Sequence, residues 1–167
     1  MARRFRGQVL QKLDAKGRVS VPARFRRVIE AGDPDWVDGL RPQLVIHHGD
    51  DRQHYLECYT MEAVDEMDRK IESKPRNSPT RKALEWYFHG QSLESEIDPD
   101  GRLILPQSLR EKLDLAEEAL FVAGGDTFRV WNPATYEREE ASAHRDWLGA
   151  RPEAADPLAL LDLPDEG

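Results

Sequence analysis

The chain has 167 residues, of which 39% are hydrophobic and 34% are charged, and its formal net charge is −8. This length suits one compact domain or two small halves that share a core, and no run approaches the roughly 18 apolar residues of a membrane span. The single cysteine, Cys58, excludes an intramolecular disulfide framework, and the basic first residues lack the apolar stretch of a signal peptide, so we expect a cytoplasmic protein.

The positive charge is concentrated at the start of the chain. Residues 1–27 contain nine Lys or Arg residues and one acidic residue, whereas residues 28–167 contain fifteen basic and thirty-one acidic residues. Salt screens charges over about 10 Å at 0.1 M, so a basic surface on an acidic protein can still bind phosphate. The alternative is that the basic run is only a solvent-exposed segment.

The first predicted unit, residues 12–27, is a hairpin turn followed by a strand and a helix. Asp14 and Gly17 suit the turn, because aspartate accepts hydrogen bonds from turn amides and glycine adopts a positive φ without steric cost. The alternating residues 19–21 predict a strand, and Pro22 suits the first position of a helix. Six basic residues against one acidic residue give this stretch a net charge of +5.

Each half of the chain is predicted to contain a hairpin, a short helix, a second hairpin and a longer helix. The first half continues with strands at 44–46 and 55–59 and a helix at 62–71 with Thr60 as its N-cap. A connector at 73–78 then leads to a helix from Pro79 to about residue 89. The second half contains a hairpin and strand at 93–105, a short helix at 107–113, strands at 119–123 and 128–131, and a helix from Pro133 to about residue 147.

The order repeats because the first motif returns at an offset of 84 residues. Residues 96–111 keep the turn and helix positions of the first copy but carry a net charge of −2. The retained residues are Asp98, Gly101, Arg102, Pro106 and Arg110. An internal repeat of this kind predicts a duplicated fold, and two halves with unpaired strand edges have a physical reason to interleave into one closed barrel.

We therefore divide the chain into a first half at 1–75, a second half at 76–148 and a tail at 149–167. The tail combines prolines, acidic residues and a short leucine cluster, and we expect it to be disordered.

The segments DAKGRVSVPARFR and DPDGRLILPQSLR resemble the twin Asp-x-x-x-Arg motifs of the MraZ family, bacterial regulators encoded at the head of the division and cell-wall gene cluster. The opening FRG, the later FHGQ and the segment GGDTFRVW fit the same family, and the resemblance covers about residues 5–148. It implies an α+β fold in which two tandem AbrB-like swapped-hairpin halves form an intramolecular β-barrel with peripheral helices. It also implies a ring-shaped homo-oligomer that binds short promoter repeats in double-stranded DNA, and hence association with the nucleoid.

The candidate DNA-binding residues are the basic residues in and before the first motif. Arg18 follows the turn, and an arginine can grip a phosphate bidentately or read guanine O6 and N7. Lys16 suits a phosphate, and Arg24 and Arg27 are three apart and can share one helix face. Arg26 matches Arg110 of the acidic copy, which favours a structural role. A flexible arm that follows the DNA backbone is predicted for Arg3, Arg4 and Arg6.

The turn residues Asp14 and Gly17 and their counterparts Asp98, Gly101 and Arg102 are assigned a structural role. The aspartate is expected to shape the turn by hydrogen bonding and to pair with the arginine four residues later. Our hypothesis is that the motif builds the fold and that only the added positive charge of the first copy makes a DNA surface. Whether Arg102 also contacts DNA stays open.

Other classes of function have weaker support. His47, His48, His54 and Cys58 lie close in sequence, but their spacing matches no regular zinc motif, and neither a phosphate-binding loop nor a nucleophile elbow is present. We expect no enzyme, metal, cofactor, small-molecule substrate or membrane partner. Two alternatives remain: a structural ring or scaffold protein, and an antitoxin-like regulator of the same fold that pairs with a toxin through its tail.

Overall fold

The computed structural model describes residues 3–164. Residues 1–2 of the predicted first half and 165–167 of the predicted tail lie outside this range. The chain forms two compact units, Met1–Asn132 and Pro133–Gly167, and the division of the repeats near residue 75 stays a prediction.

Among residues 3–164, the eight strands and the first four α-helices lie in the first unit, which confirms the α+β class. Its elements are β1 (Gln8–Lys12), β2 (Arg18–Ser20), α1 (Ala23–Ala31), β3 (Gln43–His47), β4 (Leu56–Thr60), α2 (Met61–Glu72), α3 (Pro79–Leu84), β5 (Ser92–Glu96), β6 (Arg102–Ile104), α4 (Gln107–Lys112), β7 (Glu118–Ala123) and β8 (Thr127–Trp131). A π-helical turn, Glu85–His89, extends α3. Within residues 3–164, no helix combines the length and the apolar character needed to cross a bilayer.

The strands form two antiparallel sheets in which the two repeats exchange partners. One sheet has six strands in the order β1-β7-β8-β4-β3-β5, and the other pairs β2 with β6. Strand β1 of the first repeat therefore lies against β7 of the second, and β5 of the second lies against β3 of the first. All strand pairs that join the two repeats are antiparallel. In the sheet order, β1 and β5 are the outer strands, and β7 and β3 lie next to them, so the two copies occupy equivalent positions on either side of the central β4–β8 pair.

The core is built from the apolar positions that the two motifs share. Residues 84 positions apart are buried in pairs, so the repeated sequence pattern is first of all a pattern of inward-facing side chains. The pairs are Leu13 and Ile97, Val19 and Leu103, Val21 and Leu105, Phe25 and Leu109, and Ile29 and Leu113. Burying large aliphatic side chains stabilises a fold by about 1.5–3 kcal/mol each, so the duplicated pattern supplies much of the folding free energy.

An aromatic cluster in the core joins two rings of the first repeat to two of the second. Phe5 packs edge-on against Phe25 and Phe128, with ring centroids 5.2 and 5.0 Å apart, and Phe121 stacks on Phe128 at 5.5 Å. Edge-to-face and offset contacts of this kind add stability beyond the buried area. The cluster ties the chain start to α1 and to the β7–β8 hairpin.

The starts of the helices agree with the predicted ones to within one residue, and the one predicted first residue that lies outside its helix is Pro22. The Thr60 side chain accepts a hydrogen bond from the Ala63 N–H at 3.1 Å, which confirms it as the N-cap of α2. Pro22, by contrast, is the N-cap of α1 and not its first residue, with an extended ψ of 138°. The reason is that Val21 still donates its N–H to Gly101 O at 2.9 Å, so the chain leaves the β2 ladder extended and turns helical only afterwards.

The second unit is helical throughout its regular part. It contains α5 (Pro133–Thr135), a π-helical segment at Tyr136–Ala141 and α6 (Ser142–Gly149), followed by 3₁₀ turns at Pro152–Ala155 and Pro157–Asp162. The Arg151 guanidinium lies 3.6 Å from the centroid of the Trp147 ring. Two leucines of the last turn, Leu158 and Leu161, are 70% and 81% exposed.

Candidate nucleic-acid interface

Asp14 organises the turn of the first motif. Its Oδ1 accepts the backbone N–H groups of Lys16 at 3.0 Å and Arg18 at 2.9 Å, and its Oδ2 accepts the Arg18 Nε–H at 2.6 Å. The backbone hydrogen bond from Arg18, followed by the bond from the Arg18 side chain, lowers the pKa of Asp14. Gly17 closes the turn with φ +86°, a conformation that side-chain-bearing residues rarely adopt.

Asp98 organises the turn of the second motif in the same way. Its Oδ1 accepts the N–H groups of Asp100 and Arg102, each at 2.9 Å, and its Oδ2 lies 3.3 Å from Arg102 Nε. Burial opposes ionisation of this carboxyl group, but the hydrogen bonds from the Arg102 and Asp100 backbones outweigh it and lower the pKa of Asp98. The two turns are therefore built alike.

The two arginines differ in what their terminal nitrogens contact. Arg102 Nη2 donates to the Asp100 carboxylate at 3.1 Å, so this guanidinium is bound by two acidic side chains. The residue equivalent to Asp100 in the first motif is Lys16. Within residues 3–164, neither Nη1 nor Nη2 of Arg18 has a hydrogen-bond or ion-pair partner, because Asp14 contacts Nε alone.

The glycine turn of each repeat packs against a second arginine that belongs to the other repeat, Arg110 at Gly17 and Arg26 at Gly101. A Cβ on Gly17 would lie 2.4 Å from Leu105 O and 2.9 Å from Arg110 Nε, and a Cβ on Gly101 would lie 2.5 Å from Arg26 Nη1. Arg110 Nε donates to Leu105 O at 3.0 Å, just as Arg26 Nε donates to Val21 O at 3.1 Å. Arg26 and Arg110 thus hold equivalent positions at the contacts between the repeats.

The β2–β6 pair presents one face to the core and the other to solvent. Val19 and Leu103 are opposite each other and point inward, with exposures of 1% and 0%. Arg18 is opposite Ile104, and Ser20 is opposite Arg102. Because alternate residues of a strand point to opposite faces, these four side chains share the outer face, which we call the ribbon face.

Two further basic residues of the predicted site lie on α1. Arg24, in the first turn, and Arg27, one turn later, are both exposed, and no acidic residue occupies that first turn. A Cβ on Gly7 would lie 3.8 Å from Arg24 Nη2, so the Arg24 guanidinium lies beside the segment that carries the exposed Arg6.

Arg3 and Arg4 line a separate open cavity of about 380 Å³. Its walls also include the acidic residues Glu62, Glu66 and Asp126. Carboxylates near an arginine reduce the positive potential that it offers to a polyanion. Arg3 and Arg4 therefore differ electrostatically from the basic residues of the first motif.

The histidines that raised the question of a metal belong to no ligand cluster within residues 3–164. His47 is buried, with Nε2 2.9 Å from the Tyr87 carbonyl oxygen, and burial raises the pKa of the buried Cys58 thiol. Among residues 3–164, no three His, Cys, Asp or Glu side chains are placed to hold a metal ion.

Comparison of the amino-acid sequence with known proteins identifies its family. The family model described as "MraZ protein, putative antitoxin-like" matches residues 88–156. A protein of Ruegeria pomeroyi named "Transcriptional regulator MraZ" is 57% identical over 162 residues, which is 97% of each chain. The chain belongs to the MraZ family. Proteins of the same name from Ruegeria sp. and Coxiella burnetii are 54% and 32% identical, again over 97% of this chain.

Sequence reasoning missed two features of this MraZ-family site. The contacts of Arg26 and Arg110 across the repeats depend on the fold, although their equal offset from the motif glycines was a usable signal. The outward position of Ile104 was hidden because Leu103-Ile104-Leu105 is apolar throughout. Alignment with Val19-Ser20-Val21 of the first copy identifies the middle residue as the exposed one.

Proposed function

We propose that this chain is a sequence-specific DNA-binding transcription regulator of the bacterial division and cell-wall gene cluster, acting in the cytoplasm at the nucleoid. One observation carries the proposal. Asp14 binds Arg18 through Nε, and no hydrogen-bond or ion-pair partner among residues 3–164 engages its two terminal nitrogens. A guanidinium oriented in this way suits bidentate contact with guanine or phosphate. The name "Transcriptional regulator MraZ" of the close relatives supports the same conclusion.

The contrast between the repeats supports the choice of the first one. Its exposed basic positions are neutral or acidic in the second copy, whereas its buried positions are kept. The replacements are Lys12 by Glu96, Lys16 by Asp100, Arg24 by Ser108 and Arg27 by Glu111. A surface that differs in charge while its scaffold is retained indicates a different binding role. We assign phosphate contacts to Lys16, Arg24 and Arg27, and a weaker contribution to Arg3, Arg4 and Arg6.

We also propose that the two halves form an AbrB-like swapped-hairpin barrel with peripheral helices. The exchange of β1 and β5 between the repeats and the β2–β6 pair support this arrangement.

Binding by repetition explains how so small a surface could select a promoter. Specific protein–DNA interfaces bury about 1,000 Å² or more, which one turn and a few arginines do not supply. We propose a ring-shaped homo-oligomer that displays identical first motifs to successive short repeats. Linking weak sites raises avidity by about 10²–10⁴ without new contacts.

The test compares Arg18→Ala with Arg102→Ala in gel shifts on DNA from upstream of the protein's own operon. We expect Arg18→Ala to weaken binding by about 1–3 kcal/mol per contact and to reduce the dependence on salt. Arg102→Ala is the matched control, since it truncates the equivalent residue of the acidic motif, and it should bind almost as the wild type does. Thermal unfolding and light scattering establish that both variants are folded and assembled. Equal loss of binding in two assembled variants would contradict the proposal.

An antitoxin-like regulator is the second candidate, favoured by the description of the family model and by the exposed Leu158 and Leu161. A toxin bound through these leucines would co-purify with the wild-type chain and be lost from a Leu158→Ser, Leu161→Ser variant. Absence of a stoichiometric partner in both preparations would exclude this candidate.

A further inference from the structure

The ribbon face contains one apolar side chain among three polar ones. Ile104 is 53% exposed, and its neighbours on the face are Arg18, Ser20 and Arg102. The equivalent residue of the first motif is Ser20, so the fold does not require an apolar residue at this position. Ile104 is therefore an accessible apolar side chain whose character is not dictated by the packing of the fold.

Ile104 is the direct cross-strand partner of Arg18. Side chains opposite each other in an antiparallel pair have Cβ atoms about 4.5–5.5 Å apart. The Arg18 and Ile104 side chains therefore leave the ribbon face side by side. The second repeat thus contributes to the surface that the first repeat presents, although its own motif is acidic.

A two-stranded ribbon fits the major groove of B-DNA, which is about 12 Å wide. In that groove a thymine exposes its C5 methyl group, the one apolar feature of the base edges, and a guanine exposes O6 and N7. Arginine and isoleucine side by side match a guanine next to a thymine. A contact with another protein chain is a poorer match, because a lone isoleucine flanked by two arginines and a serine forms no extended apolar patch.

We infer that Ile104 is a specificity-determining residue that contacts thymine methyl groups in the major groove beside the base or phosphate bound by Arg18. This inference rests on the proposed function and adds the second repeat to the reading surface. Loss of one buried methyl-sized contact weakens binding about fourfold.

The experiment measures the affinity of the full-length wild type and of Ile104→Ser for the same upstream DNA, made either with thymine or with deoxyuridine throughout. Deoxyuridine removes the C5 methyl group and keeps the base pairing. We expect the wild type to bind the deoxyuridine DNA at least about fourfold more weakly. Ile104→Ser should bind both DNAs equally, with the salt dependence of the wild type, because no charge is removed.

Serine already occupies the equivalent position of the first motif, so this substitution should leave the fold intact. Ser20→Ala is the matched control on the same face and should retain the full discrimination between the two DNAs. The inference is overturned if Ile104→Ser discriminates as strongly as the wild type, if the wild type does not discriminate, or if Ile104→Ser dissociates the oligomer. Failure of the proposed function is distinct, because the wild type would then not bind the thymine DNA or Arg18→Ala would bind it unchanged.

Discussion

Gly17 and Gly125 have the same backbone angle, φ +86°, in very different surroundings. A Cβ on Gly17 would lie 2.4 Å from the Leu105 carbonyl oxygen, whereas a Cβ on Gly125 would meet nothing within 4 Å. We expect Gly125→Ala to lower the free energy of unfolding by about 1–2 kcal/mol, the cost of a left-handed conformation. Gly17→Ala should cost about 1–3 kcal/mol more, because backbone must move to relieve the overlap. Urea unfolding measures both, and equal losses would show that the turn can relax.

At the residue scale, the sequence predicted interactions between residues that are close together in the chain better than interactions between distant residues. The turns built by Asp14 and Asp98 involve residues at most four positions apart, so composition and spacing were informative. The contact of Arg110 with the Gly17 turn joins residues far apart in the chain, so spacing within one motif does not indicate it. Comparison of the two motifs gives a hint, because Arg26 and Arg110 have the same offset from their glycines. The roles of the basic residues in binding DNA stay a prediction for the experiments above.

His47 links two elements, since it ends β3 and packs under the helical turn that follows α3. Its ring lies 5.0 Å from both the Tyr87 and the Phe88 rings. Burial lowers the pKa of His47, against weaker opposing effects of its hydrogen bond to the Tyr87 carbonyl and of Glu57. The unfolded chain therefore binds the proton more readily than the folded one.

The free energy of unfolding should consequently be fully retained above pH 6.5 and fall as the pH is lowered from 6.5 towards the folded-state pKa of His47. We expect His47→Gln to reduce this slope in urea unfolding between pH 7.5 and 5. Tyr87→Phe keeps the ring and the backbone carbonyl, so it should retain the slope. An unchanged slope in His47→Gln would assign the pH dependence to other groups.

At the element scale, strands and helices could be predicted where apolar residues recur with a clear period. The strands at 44–46 and 55–59 and the helix at 62–71 all correspond to elements of the structure. Their partners could not be predicted in the same way, because hydrophobic alternation indicates which face is buried and not which strand lies alongside. The pairing of β1 with β7 joins residues about 110 positions apart.

The two repeats share one backbone motif, but the first copy of the motif is basic and the second is acidic. If identical first motifs are displayed around a ring, the affinity for DNA should rise steeply with the number of promoter repeats. We expect a fragment with one repeat to bind weakly, and fragments with two or more to gain up to about 10²–10⁴ in affinity.

Gel shifts on fragments of one to four repeats from the upstream region measure this gain. Insertion of about half a helical turn between repeats is the matched control, since it moves neighbouring sites to opposite sides of the duplex. Equal affinity for one repeat and for several would rule out binding by repetition.

The reciprocal contacts of Arg26 and Arg110 constrain how this protein can evolve. The glycine turn of each repeat packs against an arginine of the other, so deleting either repeat would remove a contact that the remaining turn needs. The second copy has Asp100 and Glu111 where the first has Lys16 and Arg27, so the charge of its surface is free to differ while its shape is constrained by these contacts. The acidic second repeat thus supports the basic first one through the contact of Arg110 with the Gly17 turn.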